Sequence, residues 1–322
     1  MALTVNYNED GVPNGVPTYL FDQVALYAKD PREAARAWFA AAKLGLSVFF
    51  GLHGLIGRHE DVIEREEYPV AEYAALEKQL TAKNFDPIDI VELAIAAGAR
   101  YLAFPAVYDD GFCLYHSQLT EFNSVHSPAH RDFVGELASV CEYHGLGLSL
   151  EYSLGVNHHR WPNGIPATAR AEYLEFVQGQ IHELLVNYGP VAMLSFNGLK
   201  RMKRIFPDWS AQEFYDMART LQPAILVAYR EGHTGTEDFL SLPLDAKVPP
   251  PPHGLLELRQ TMTPGGRGFN AGEAGNHLKI NDLRNSAKFA AQQQAALLVN
   301  TALMPDGSLD LEDINTLLEF GK

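Results

Sequence analysis

Two periodicities alternate along the chain. Short, almost wholly apolar runs rich in β-branched and aromatic residues fall at 46–52, 101–107, 147–153, 192–198, 224–230, 255–262 and 297–303. Between them, at 31–43, 87–97, 129–144, 167–188, 211–221, 282–296 and 311–320, apolar positions recur every three to four residues. An unbroken apolar run marks a strand buried on both faces, as in a parallel sheet covered by helices, and the recurring strand–helix order marks βα units. Asp86 before Pro87, Ser127 before Pro128 and Ser210 before Ala211 are the N-caps this pattern predicts. Seven or eight such units in 322 residues predict an α/β fold, a (β/α)8 TIM-like barrel in a single domain, with residues 1–30 as an N-terminal extension packing on a barrel of residues 31–322. A doubly wound sheet would carry a Gly-rich phosphate loop after its first strand; Gly51, Gly54 and Gly57 are not spaced as GxGxxG, and no P-loop occurs. Residues 247–254 (KVPPPPHG) read as a stiff surface connection.

Composition narrows the function classes. With 25 Lys+Arg against 40 Asp+Glu the formal charge is −15, and 47% of residues are hydrophobic, enough for a full core. That balance speaks against a nucleic-acid partner bound through counterion release. The one basic cluster, Lys200, Arg201, Lys203 and Arg204, reads as a solvated loop or helix start. Two cysteines, Cys113 and Cys141, make no disulfide framework and no zinc spacing, and are expected as buried thiols. No basic leader and no apolar run of membrane-spanning length appears, so a cytoplasmic protein without a membrane partner is expected.

In a barrel of this kind, chemistry gathers at the C-terminal ends of the strands. The second predicted strand runs into Tyr108, Asp109 and Asp110; if Asp110 caps the loop, Asp109 faces the cavity. The third carries Glu151 and Tyr152, and an acid inside an apolar run needs a partner or a reaction. The fourth ends at Asn197, an amide that donates and accepts but cannot attack an anomeric carbon. The fifth ends near Arg230, the sixth supplies Glu257 and Arg259, and the Gly-rich loop 264–275 adds Arg267 and Glu273. His53 follows the first strand, and Trp161 and Phe269 complete an aromatic complement. Carboxylates, amides, guanidinium groups and aromatic rings around one pocket suit a neutral polyol, and glycoside hydrolysis needs two carboxylates flanking one bond. Taken singly, Glu151, Glu257 and Asp109 also read as salt-bridge or loop-cap residues. His158 and His159, adjacent in an extended segment, point apart and lack a third ligand, so no metal and no cofactor is predicted.

Several segments resemble glycoside hydrolase family 29, the α-L-fucosidases. Residues 108–136 (YDDGFCLYHSQLTEFNSVHSPAHRDFVGE) are similar to the family's HHDGF…T-x-[YF]-N-[SV]-V…RD-x-V-GE run, and 146–154 (LGLSLEYSL) to its GLYYSL strand. Residues 182–198 (HELLVNYGPVAMLSFNG) resemble its ELLxxYxPxxLWFDG segment, 222–239 its QPxxxVxxR…DF stretch, and 297–307 (LLVNTALMPDG) its NLLLNxGPxxDG signature. The resemblance implies the barrel, here without the family's C-terminal β-sandwich, and a carbohydrate or glycoside ligand; an uncovered rim would favour a homo-oligomer.

It also marks departures. Asn197 stands where the family has its nucleophilic aspartate, Tyr108 and Asp109 replace paired histidines, and Glu151 replaces the first Tyr of YYS. Glu60 corresponds to the family's EW motif with the Trp lost, and Arg259 and Glu273 to a substrate-contacting Arg and the acid/base Glu. Three readings follow. One is a fucosidase-like hydrolase of an O-glycosidic bond, with catalysis relocated among Glu273, Glu257, Glu151 and Asp109; substrate contacts would come from His53, Glu60, Tyr108, Tyr152, Arg230, Arg259, Arg267, Trp161 and Phe269. The others are a carbohydrate-binding pseudoenzyme and a sugar-acid lyase or isomerase on the same barrel.

Overall fold

The computed structural model describes Asn8, residues 13–229 and residues 235–322. Eight parallel strands close into a barrel in sequence order: β1 Leu44–Phe49, β2 Tyr101–Val107, β3 Gly147–Ser153, β4 Met193–Asn197, β5 Leu226–Tyr229, β6 Phe239–Pro243, β7 Leu256–Thr261 and β8 Ala296–Ala302, with β8 pairing back onto β1 from Leu44↔Leu297 to Phe49↔Ala302. The apolar runs are continuous because both faces are covered. Leu148, Leu150 and Tyr152 of β3, for example, pack outward among the surrounding helices, while Tyr101, Ala103, Met193, Leu226, Phe239 and Leu298 fill the interior as a separate cluster.

Helices Pro31–Ala41, Pro87–Ala96, Phe133–His144, Arg170–Asn187, Gln212–Leu221, Ile280–Gln292 and Leu311–Phe320 occupy the seven predicted helical stretches. Asp86 caps as expected, its carboxylate accepting from the N–H groups of Ile88 and Asp89. Ser127 does not cap. His130 has φ +49°, which ends any helix begun at Ala129, so the helix starts three residues later and Asp132 caps it by accepting from the Gly135 N–H. Elements that escaped the periodicity include β6, five residues long and closed by Pro243, the helix Leu199–Ile205 directly after β4, and the single turns Val24–Tyr27, Val62–Arg65 and Val70–Ala74.

The N-terminal end of the barrel is plugged by residues 16–42. Tyr19 stacks edgewise on Trp38 at 4.7 Å, Phe39 lies 4.4 Å from Phe239, and Arg32 and Arg36 each reach Asp238 at 2.7 Å, where Arg219 joins them at 3.1 Å. Asp238 is fully buried, and the Val227 N–H with the guanidinium groups of Arg32 and Arg219 holds it below the usual carboxylate range despite its burial. Glu257 belongs to this lower part. It pairs in register with Ser241 and Ala296, near the start of β7, and accepts from the Tyr101 hydroxyl at 2.6 Å and from Ser241.

Candidate active site at the barrel mouth

At the other end the strands open onto a cavity of about 850 Å³. Its centre is the end of β4. Asn197 lines the wall, and Gly198 adopts φ +77° with its Cα so close to Leu154 that a Cβ would lie 2.0 Å from the Leu154 carbonyl oxygen. Only glycine fits that turn. It throws the chain straight into the helix Leu199–Ile205, which places Lys200, Arg201, Lys203 and Arg204 along the cavity. Tyr108 and Asp109 after β2, Tyr229 at the end of β5, Pro243 of β6, Arg259 of β7 and Arg267 of the following loop form the other walls.

Asp109 and Asp110 take different tasks. Asp110 is buried and caps its own loop, accepting from the Phe112 N–H and the Tyr73 hydroxyl, both at 2.9 Å; burial pushes its carboxyl up to about 6. Asp109 faces the cavity with its side chain 21% exposed, accepting from the Ser153 hydroxyl and, at 3.1 Å, from Arg201 Nη1. Arg201 extends the contact to Glu64 at 3.1 Å.

Arg267 forms the back of the cavity. Its Nη1 donates to Glu151 at 2.7 Å and its Nε to Glu60 at 3.2 Å, and the guanidinium lies 4.4 Å from the Phe49 ring centroid and 5.4 Å from that of Tyr108. Burial opposes the cation, but Glu151, Tyr108 and Glu60 outweigh it and raise the Arg267 pKa. Glu151 therefore has the partner its burial demands. Glu60 keeps a raised pKa because burial exceeds what Arg267 returns. His53 is enclosed beside Phe49, ring centroids 5.5 Å apart, and burial, with His59 and Arg267 nearby, pushes its imidazole down to about 3. Gly268, at φ +82°, passes so near that a Cβ would sit 2.3 Å from His53 Nε2.

The structure disperses several of the predicted site residues. Glu257 lies toward the plugged end, two positions before Arg259 on the same face of β7 and so about 6.6 Å further from the mouth. Tyr152 points away from the barrel interior, donating to Gln180 Oε1 at 2.6 Å, as the two-residue period requires when Glu151 points in. Glu273, in the turn Ala271–Glu273, stands 3.4 Å from His59 Nε2, off the wall of the main cavity. Phe269 lines a gap of about 10 Å³ with His277, Asn300 and Thr301. Trp161 packs edgewise on Tyr173 at 5.3 Å in an adjoining depression of about 650 Å³ that shares Arg201 with the main cavity. Arg230 lies outside the described residues. Conversely, Ser153 and Arg201 were not predicted for the site; a basic cluster placed immediately after a strand end was the signal for the second.

His158 and His159 diverge, one 3.7 Å from Glu64 and the other stacked on Phe122 at 3.9 Å. Among the described residues, His277, Asp310 and Glu312 are close enough to share an ion, but Asp310 and Glu312 already accept from the N–H groups of Glu312 and Gly275, each at 2.7 Å.

Comparison with known proteins places this geometry. Tissue α-L-fucosidase of Rattus norvegicus is 31% identical over 134 residues, covering 36% of this chain and 29% of that protein, and α-L-fucosidase 1 of Arabidopsis thaliana is 31% identical over 146 residues, 42% and 27%. The matched stretch is thus under a third of either relative. Among solved structures, α-L-fucosidase AlfC from Lactobacillus casei superposes with a TM-score of 0.78 at 28% identity, covering 89% of this chain and 97% of that one, and has been solved with α-L-fucose product. α-L-Fucosidase isoenzyme 1 from Paenibacillus thiaminolyticus gives 0.79 at 25% identity, covering 90% and 75%. The sequence profile of the family described as Alpha-L-fucosidase matches residues 25–322, and the chain belongs to that family.

Proposed function

We propose that the protein is a fucosidase-like glycoside hydrolase that seats a fucoside or a related sugar in the mouth cavity and works on the bond through Asp109 rather than through residue 197. One observation carries this reading: among the described residues that line the cavity, Asp109 is the one carboxylate. Ser153 and Arg201 fix its orientation. In this role Asp109 takes a proton from a water whose oxygen attacks the anomeric carbon while the bond to the leaving oxygen breaks, giving inversion. Asn197 serves as a hydrogen-bond partner for a sugar hydroxyl. Glu273, held beside His59, is the remaining candidate for protonating a poor leaving group.

A specific observation favours a second reading, sugar binding without turnover. The position that corresponds to the family's nucleophile holds an amide, and the neighbouring acid Glu151 is engaged by Arg267. A panel of aryl glycosides, α-L-fucoside included, separates the two, since an aryl leaving group needs little protonation. Release that Asp109→Asn abolishes and Glu273→Gln spares supports the Asp109 reading. No release from the parent, with release appearing in Asn197→Asp and a melting shift on adding L-fucose to the parent, supports the binding protein. Release that survives Asp109→Asn refutes the role given to Asp109.

A further inference from the structure

The cationic helix at the mouth has no counterpart in the chemistry of a neutral sugar. Among the described residues six cations, Lys200, Arg201, Lys203, Arg204, Arg259 and Arg267, line one cavity of a chain whose formal charge is −15. Asp109 is the single acid on the described wall, and it is already bonded to Arg201. Arg267 is matched behind the wall by Glu151 and Glu60, and Lys200 and Arg259 have interactions of their own. Lys203 and Arg204 differ. Both are exposed, both border the cavity, and among the described residues no carboxylate pairs with either.

Sugar hydroxyls need donors and acceptors in similar number, and a surplus of pure donors wastes half of that capacity. An anionic oxygen group, by contrast, takes charge-assisted hydrogen bonds from ammonium and guanidinium groups together. A cationic mouth on an acidic protein also concentrates the field where the ligand enters, because the surrounding acids repel anions from the rest of the surface. Resting on the glycosidase reading above, we infer that the subsite beside Lys203 and Arg204 receives an anionic group, a carboxylate, sulfate or phosphate, borne by the part of the glycoside beyond the scissile bond.

Isothermal titration with phenyl α-L-fucoside, its 4-carboxy and 4-sulfate derivatives, and sodium sulfate alone tests the inference independently of turnover. The charged fucosides are expected to bind about tenfold more tightly than the neutral one at low salt, with the advantage shrinking as salt rises. In Lys203→Glu/Arg204→Glu, two exposed positions whose exchange leaves the core intact, that advantage should fall below about twofold while the neutral probe binds as before. A larger gain for carboxylate or for sulfate identifies the group. Equal binding of charged and neutral fucosides, or an advantage that survives the double substitution, overturns the inference and leaves the fucoside reading in place. Sulfate bound by the parent and lost in the double variant, with no fucoside bound, keeps the anionic subsite and overturns the fucoside reading. Silence from all four probes overturns both.

Discussion

Replacing Arg267 by Met keeps much of the side-chain volume and removes a positive charge that Glu151 and Glu60 share. Their side chains are 2% and 11% exposed, so neither can recover its interaction from water. Removing one partner of a buried pair costs about 3–5 kcal/mol, because the remaining charge stays buried and uncompensated. The cost carries a pH signature. Without Arg267, Glu60, whose carboxyl burial already holds above its ordinary value, moves further above the unfolded value of about 4.3. Between those two values the folded variant binds more protons than the unfolded chain, so its stability falls as pH rises, by up to about 1.4 kcal/mol per unit. The deficit relative to the parent is therefore largest at pH 8 and smaller at pH 5.5. Urea unfolding followed by the fluorescence of Trp38, Trp161 and Trp209 measures it at both values. A deficit under about 1 kcal/mol at pH 8, or one unchanged between the two pH values, would refute the claim that Arg267 neutralises buried acids. In the Arg267→Met background, adding Glu151→Gln should restore part of the lost stability.

Three further outcomes are expected. Tyr101→Phe takes a hydrogen-bond donor from Glu257 and should cost about 1–3 kcal/mol in chemical unfolding, while sugar affinity at the opposite end stays unchanged. His53, pushed down to about 3 when folded against an ordinary value near 6.5, stays neutral while the unfolded chain takes up a proton, so its contribution is lost as pH falls from about 6.5 toward 3; His53→Gln should flatten the urea midpoint between pH 7 and 5. Burial pushes the Cys141 thiol up to about 12 and raises that of Cys113 as well, so Ellman's reagent should label neither in native protein at pH 8 and both in urea.

The long apolar runs announced their strands because burial on both faces leaves nothing polar in them; 101–107 and 147–153 coincide residue for residue with β2 and β3. β6 stayed hidden because Phe239–Pro243 is short and follows Glu237 and Asp238, acids that read as loop. The partners that bury Asp238 lie about two hundred residues away at Arg32 and Arg36, beyond any local pattern. At the mouth, the strand-end rule found Asp109, Asn197 and Arg259. It overreached with Glu257, where position along the strand decides, and with Tyr152, where the alternation of faces already spoke against it. The placement of Glu273, Phe269 and Trp161 depends on how loops return across the barrel end, which no spacing encodes. The basic cluster was visible as charge, but only the Gly198 turn shows that it leans over the cavity.

That turn also governs how the protein ages. Asn197 is followed by a residue without a side chain, so nothing shields its amide carbon from attack by the next backbone nitrogen, the route by which asparagine loses ammonia and becomes aspartate or its iso form. The bond from the Leu154 N–H to the Asn197 carbonyl oxygen at 2.9 Å, with Gly198 locked at φ +77°, holds the segment against the rotation this cyclisation requires. Loosening the turn by heat or mild denaturant removes that protection. Old or alkaline stocks would then accumulate a carboxylate where fresh protein has an amide. Activity measurements on this chain therefore need the mass of the peptide bearing Asn197 beside them.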